Sequence, residues 1–345
     1  MYYWHKHPQN VKEPDYFPAR PGFKEMVKRL SAKGLRFMPY LNGRIWAWDN
    51  DGFKKAEKWM CRLADGSLHN ERWANMDFSA VCPSAEMWGD WLVTLGKRMV
   101  DEYRVGALYY DQIASMTAVP CYAANHGHPV GGGTHWIDGY RRALDKIHAA
   151  LPDIPLTSEN WSEPYTDMFD GFLVWGPNVG NDVPLTPIVY SGYMSPFACR
   201  VGRDVTDQAF FAMQARSFLW GAQTGWEQQW ILEHDRFRPR LDFLIKLAEK
   251  RRSALEYFAD GELVSLVENR IKHEPLRFTV MRWGRKVDVE MAPVMASEWR
   301  SPAGGRMVAV ANADTAPRRF ETEGISLDLA PLEVVLVNRD ARKSK

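Results

Sequence analysis

GALYYDQIASM, residues 106–116, runs the strand-forming residues Leu108, Tyr109 and Tyr110 into an aspartate, Asp111, and an amide, Gln112. A buried strand that ends on a carboxylate either opens an ordinary loop or presents the acid to a ligand, and the flanking segments bear on which. Upstream, SAEMWGDWLVTLGKRMVDEYRV (84–105) has helical periodicity. Downstream, HWIDGYRRALDKIHAAL (135–151) has it again, followed by the short apolar run IPLTSEN (154–160). Helices alternating with short buried strands are the pattern of a parallel α/β architecture.

Working outward, the pattern holds to about residue 258. PGFKEMVKRLSAKG (21–34) predicts a helix, with Pro21 near its start and Gly34 as its stop. LRFMPYLNG (35–43) follows as a strand, then a long aromatic loop. Further strands are expected at GFLVWG (171–176), TPIVYSGY (186–193) and RSFLWGAQTGW (216–226), with helices at 206–216 and 238–258. The loops after the strands are longer than those before them, which suits a (β/α)8 TIM-type barrel. One strand is missing, so the first β/α unit is expected to be absent, with the chain shortened at its N-terminus. A doubly wound sheet is disfavoured because no GxGxxG follows an early strand. From 259 to 345 the texture changes to short alternating runs broken by Gly, Asn and Asp, which predicts a C-terminal antiparallel β-sandwich. The domains expected are therefore 1–258 and 259–345.

Composition excludes several classes. Net charge is +1 and no basic stripe is present, which argues against nucleic acid. No apolar run is long enough to span a membrane, and MYYWHKHPQN lacks the features of a signal peptide, so the reading is cytoplasmic unless a leader is missing. Cys61, Cys82, Cys121 and Cys199 are widely spaced and form no CxxC pair, so buried free thiols are expected. The chain carries 15 Trp, 13 Tyr and 16 Phe, which either fill a large core or supply stacking faces for sugars.

Polar residues collect at the expected strand ends: Tyr40, Asn42 and Arg44, then Asp111 and Gln112, then Glu159 and Asn160, then Trp175, then Tyr190 and Tyr193, then Gln223 and Trp226. A polar tip on each strand is what a barrel active site requires. Asp111 and Glu159 lie on consecutive strands, and strands about 4.8 Å apart can hold two carboxylates roughly 5–6 Å apart. That is the separation of a retaining glycosidase, in which one carboxylate attacks the anomeric carbon and the other handles the proton. The bland alternative is a pair of solvated or helix-capping acids. Glu163, four residues beyond Glu159, competes for the acid/base role or caps the short helix that follows.

CYAANHGHPVGGGTHW (121–136) is the most unusual segment. Cys121, His126 and His128 carry atoms that can bind zinc, but their spacing matches no common structural zinc pattern and no further ligand is evident. The preferred reading is a substrate-binding loop, with the histidines as hydrogen-bonding groups and no metal. A metal-dependent hydrolase centred on the two histidines is the rival.

Several segments in order, YYWHKHPQNVKEPDYFPARPGFKEMVKRLSAKGLRFMPYLNGRIW, VCPSAEMWGDWL, HGHPVGGGTHW and SENWSEPYTDMFDGFLVW, resemble the glycoside-hydrolase-like bacterial proteins of the DUF6259 type. These are similar, more distantly, to the endo-α-N-acetylgalactosaminidase barrels. The resemblance implies a (β/α)8 barrel flanked by β-sandwiches. It also implies a retaining mechanism with an aspartate nucleophile, matched by Asp111, and a glutamate acid/base on the next strand, best matched by Glu159. The expectation is thus a retaining glycoside hydrolase for an α-linked glycan or glycoside. It needs no cofactor, and Tyr40, Asn42, Arg44, Tyr110, Gln112, His126, His128, Glu163 and Trp175 line the carbohydrate site. A truncated barrel also admits a non-catalytic carbohydrate-binding or assembly subunit, with a homo-oligomer or partner chain supplying the missing N-terminal segment.

Overall fold

The protein is described from a computed structural model covering residues 4–7, 12–73, 75–175, 179–180, 182–282 and 284–339. It divides into two units, one ending at Asp170 and the other beginning at Gly171.

In the first unit, helix α1 (Phe23–Ser31) leads to strand β1 (Tyr40–Asn42). This strand is shorter than the expected 35–43. Phe37 and Pro39 still accept backbone bonds from Gly106, Ala107 and Tyr109, but Pro39 has no N–H to return one. The stretch read as an aromatic loop is itself folded. It holds β2 (Ile45–Ala47), the short helix α2 (Phe53–Ala56), β3 (Asn70–Trp73) and β4 (Met76–Ala80), with β2, β4 and β3 forming an antiparallel sheet in that order. Helix α3 (Glu86–Tyr103) then delivers β5 (Leu108–Asp111), and helix α4 (His135–Ala150) delivers β6 (Leu156–Glu159).

β1, β5 and β6 are parallel neighbours, and α3 packs against α4. Register pairs Tyr40 with Tyr109 and Asn42 with Asp111 across the first two strands, then Tyr109 with Thr157 and Tyr110 with Ser158 across the next. Because side chains alternate along a strand, Tyr40, Asn42, Tyr109, Asp111, Thr157 and Glu159 share one face, whereas Leu41, Tyr110 and Ser158 share the other. That second face meets the helices. The Tyr110 hydroxyl donates to the Leu92 carbonyl at 2.9 Å. Gly96 leaves it room, since a Cβ there would lie 2.6 Å from the hydroxyl oxygen.

In the second unit, β7 (Gly171–Val174), β8 (Ser195–Ala198) and β9 (Gln223–Thr224) are parallel neighbours. The strand expected at 186–193 is instead helix α5 (Leu185–Tyr190), where Pro187 sits in the first turn and its missing N–H costs nothing; β8 follows it. The expected strand 216–226 shrinks to β9, because Arg216–Leu219 ends helix α6 (Asp207–Leu219). That helix is buried almost all round, which erases the amphipathic period that marks helices in sequence.

Helices α7 (Trp230–Glu233), α8 (Arg238–Arg252) and α9 (Leu255–Phe258) precede the antiparallel strands β10 (Glu262–Leu266), β11 (Leu276–Arg282), β12 (Arg285–Met291), β13 (Val294–Arg300), β14 (Arg306–Asn312), β15 (Arg318–Thr322), β16 (Ile325–Leu329) and β17 (Val334–Asn338). β10, β13, β14 and β17 form one sheet, while β11–β12 and β15–β16 are hairpins. Val294, Ala296, Val308 and Val310 pack on Phe320, Ile325 and Leu329 of the second hairpin. Trp299, Met307, Ala309 and Ala311, from the opposite face, join a core with Phe218, Phe243 and Phe258 of the helices. Burial on both faces explains the nearly continuous apolar run of β14.

Candidate active site

The site begins with the shared face of β1, β5 and β6. Continuing the β5–β6 register one residue past Tyr110 and Ser158 sets Glu159 level with Asp111, which is itself level with Asn42. All three stand at the C-terminal ends of parallel strands. Asp111 is only 7% exposed, yet both of its oxygens are engaged. The Tyr109 hydroxyl donates to Oδ1 at 2.7 Å and the Tyr40 hydroxyl to Oδ2 at 3.1 Å. Burial pushes the Asp111 carboxyl up to about 8 and the Glu159 charge adds to this, while the two tyrosine hydroxyls pull the other way. The Ser115 hydroxyl holds Glu159 through a 2.5 Å bond to Oε2.

Asn42 supports this arrangement without facing it freely. Its Nδ2 donates to the Tyr40 hydroxyl at 3.1 Å and its Oδ1 accepts from the Arg44 and Ile45 amides at 2.8 and 3.0 Å. Its own amide donates to the Tyr16 hydroxyl at 2.7 Å. It is a positioning residue for Tyr40, and through Tyr40 for Asp111.

Sequence reasoning passed over Tyr16, Tyr109, Ser115 and a third acid. Glu13 is fully buried, neither of its oxygens has a well-formed hydrogen bond, and burial together with the Asp111 charge pushes it up to about 8. Tyr109 was within reach of the sequence, since strand alternation places it, and not Tyr110, on the side of Asp111. Glu13 was not, because the segment before α1 shows no periodicity.

Other expected site residues are committed elsewhere. Arg44 is 1% exposed and forms a two-pronged ion pair with Glu71 of β3, with a 3.5 Å contact from Nη1 to Gln112 Oε1. Tyr110 faces the helices, as described. Glu163 is exposed in a single 3-10 turn, Glu163–Tyr165. Trp175 lies in the second unit, edge-on to Trp226 at 5.0 Å, with the Arg200 guanidinium against both rings. The second unit also has a cavity of about 440 Å³ lined in part by Arg216, Glu268 and His273, which contains none of the expected residues.

His126 and His128 belong to a separate cluster. Cys82, Cys121, His126 and His128 place one sulfur or nitrogen each within 4.8 Å of one another. The member of this cluster that the sequence did not reveal is Cys82, distant in the chain and just after β4. All four cysteines are buried and unbridged.

Backbone geometry marks the strand ends. Gln112, directly after Asp111, has φ 66°, and Asn160, directly after Glu159, has φ 51°, both in the left-handed region that non-glycine residues avoid. Each turns the chain away from the sheet immediately beyond a carboxylate.

Comparison with known proteins bears on this geometry. A family model described as "Domain of unknown function (DUF6259)" matches residues 1–200. A Bacteroides thetaiotaomicron protein named "Putative glycoside hydrolase" is 33% identical over 326 residues, covering 90% of this chain and 47% of that protein, so the chain spans about half its length. Among solved structures, an alpha-N-acetylgalactosaminidase from Bifidobacterium bifidum has TM-score 0.61 at 16% identity, covering 89% of this chain and 46% of that one. An alpha-galactosidase from Geobacillus stearothermophilus has TM-score 0.59 at 11% identity, covering 97% and 49%. The mixed α/β fold is shared with these enzymes, and the chain belongs to the DUF6259 family.

Proposed function

We propose that this DUF6259 member is a retaining glycoside hydrolase acting on an α-linked glycan or glycoside. Its barrel would be built from residues 1–258 and its sandwich from 259–345. The observation that carries the reading is the level row of Asn42, Asp111 and Glu159 at the C-terminal ends of three adjacent parallel strands, with both Asp111 oxygens held by tyrosine hydroxyls. The α-glycosidase names of the structural neighbours support the substrate class.

In the proposed reaction, an Asp111 oxygen attacks the anomeric carbon as the glycosidic bond breaks, and the protonated Glu159 gives its proton to the departing oxygen. Glu159, now a carboxylate, takes a proton from water, and the resulting hydroxide equivalent displaces Asp111 with net retention. Tyr40 and Tyr109 hold the attacking carboxylate in line and stabilise its charge in a dry site. Ser115 fixes the Glu159 rotamer. Turnover needs Asp111 ionised while Glu159 keeps its proton, so the pair works with one proton. The step near 8 removes that last proton from Asp111 beside a charged Glu159, and kcat/KM should fall as pH rises through about 8.

The same carboxyl, held near 8, is mostly protonated at neutral pH, which favours a second reading with Asp111 as proton donor and Glu159 as nucleophile. A panel of aryl α-glycosides identifies the substrate, and a 2-deoxy-2-fluoro glycosyl fluoride of the preferred sugar then traps the covalent intermediate. Peptide mapping of the adduct to Asp111 supports the first assignment, and an adduct on Glu159 exchanges the roles. Inverted product by NMR rejects retention, and sugar binding without turnover moves the chain to a carbohydrate-binding module.

A further inference from the structure

We propose that Cys82, Cys121, His126 and His128 form a tetrahedral zinc site that pins the loop following β5. Two sulfur–nitrogen edges of the cluster already have the length a zinc ion sets, and all four atoms lie within 4.8 Å of one another. Cys82 Sγ lies 3.4 Å from His128 Nε2, and Cys121 Sγ lies 3.4 Å from His126 Nδ1. Zinc bonds of about 2.3 Å to sulfur and about 2.0–2.1 Å to nitrogen, at a tetrahedral angle, require a sulfur–nitrogen edge of about 3.5 Å.

The far side of each ring supports the same conclusion. His126 Nε2 lies 2.7 Å from the Lys58 carbonyl, and His128 Nδ1 lies 2.8 Å from the Pro129 carbonyl. A carbonyl accepts only, so in each ring that nitrogen carries the proton. The lone pair of the other nitrogen points at the sulfurs, which is the tautomer and the backing that metal-bound histidines use. Cys61, fully buried, lies close enough to Cys82 and Cys121 to interact with both, a soft neighbour just outside the cluster. Two sulfurs and two imidazoles in a tetrahedral set select zinc over harder cations, and four protein ligands leave no open position, so the role is structural.

The loop explains what such a site is for. Residues 112–134 contain no helix or strand, an unusual length of irregular chain between two elements. This segment begins with Gln112 and carries Ser115, the partner of Glu159. Bonding Cys121, His126 and His128 to Cys82 fastens its far half to the segment joining β4 and α3, and the Lys58 contact adds a third strand of chain.

The test uses the full chain, purified reduced and without chelator. Elemental analysis should find about one zinc per chain, and cobalt loaded after stripping should give the intense visible bands of a tetrahedral thiolate site. Cys82→Ala and His126→Ala should each lose the metal, while Cys199→Ala, which alters a buried cysteine of the second unit, should keep it. Should a variant fail to fold, chelator competition on stripped wild-type chain reads zinc affinity directly. Reduced wild-type chain that neither carries zinc nor gives the cobalt spectrum would overturn the proposal, as would zinc retained in full by Cys82→Ala. Neither readout involves turnover, so the glycosidase reading can fail while this one stands.

Discussion

Two clusters in the first unit make an instructive pair. The carboxylate row is built by strand register: three short parallel strands, each ending on a polar residue, put Asn42, Asp111 and Glu159 side by side. The thiol–imidazole cluster is built by loops, with Cys82 brought to Cys121, His126 and His128 by no repeating geometry. Period-2 alternation predicts which residues of a strand share a face, so the first cluster can be approached from sequence. Loop closure has no comparable rule, so the sequence singles out Cys121, His126 and His128 but Cys82 joins them only in three dimensions. The two also differ in electrostatics, since one gathers acids in a dry pocket and the other gathers soft ligands backed by carbonyls.

Experiments can break this contrast or sharpen it. The largest effect should come from Asp111→Asn, with kcat on an activated aryl α-glycoside falling on the order of 10⁴-fold while the circular dichroism spectrum is unchanged. Undiminished turnover would remove the strand row from the chemistry. Next in size is Glu71→Gln. Arg44 has a side chain 2% exposed and would be left buried without its counter-charge, costing about 3 kcal/mol in denaturant unfolding.

A smaller effect is expected from Tyr109→Phe, which removes the 2.7 Å donor to Asp111. Losing a bond that favours the ionised form moves the descending limb of kcat/KM to higher pH, whereas Glu159→Gln, lacking both the proton and the nearby charge, should leave an activated substrate with a limb that rises with pH below about 8. A limb unmoved in both variants would mean that Asp111 is not the group being titrated.

The subtlest effect concerns Glu13, whose carboxyl is pushed up to about 8 in the folded chain from the ordinary value of 4.5. Between those values the unfolded chain has released its proton and the folded chain has kept it, so stability declines as pH rises through the window and levels off above about 8. Glu13→Gln should flatten that part of the Tm–pH curve, and an unchanged slope would place the titration elsewhere.

How much was legible follows the same division. The helix–strand alternation from α1 to β7 was readable because α3 and α4 are amphipathic and the strands between them are short and apolar. Helix α5 was mistaken for a strand because Ile188, Val189 and Tyr190 are strand formers, and Pro187 in a first turn outweighed them. Tyr110 was assigned to the site by proximity to Asp111 in sequence, whereas alternation sends it to Leu92. Arg44 was read as lining the carbohydrate site because nothing in the sequence announces that Glu71, on a strand of an unforeseen sheet, would claim it.

The left-handed backbone at Gln112 and Asn160 has a practical meaning for protein engineering. A glycine at either position would remove a conformational penalty on the order of 1 kcal/mol and is the change a stability-guided redesign would choose first. It would also delete the amide side chain next to each carboxylate. Selecting this scaffold for thermal tolerance alone should therefore wear away the strand ends before it touches the strands, and variants recovered that way ought to be screened for ligand retention from the first round.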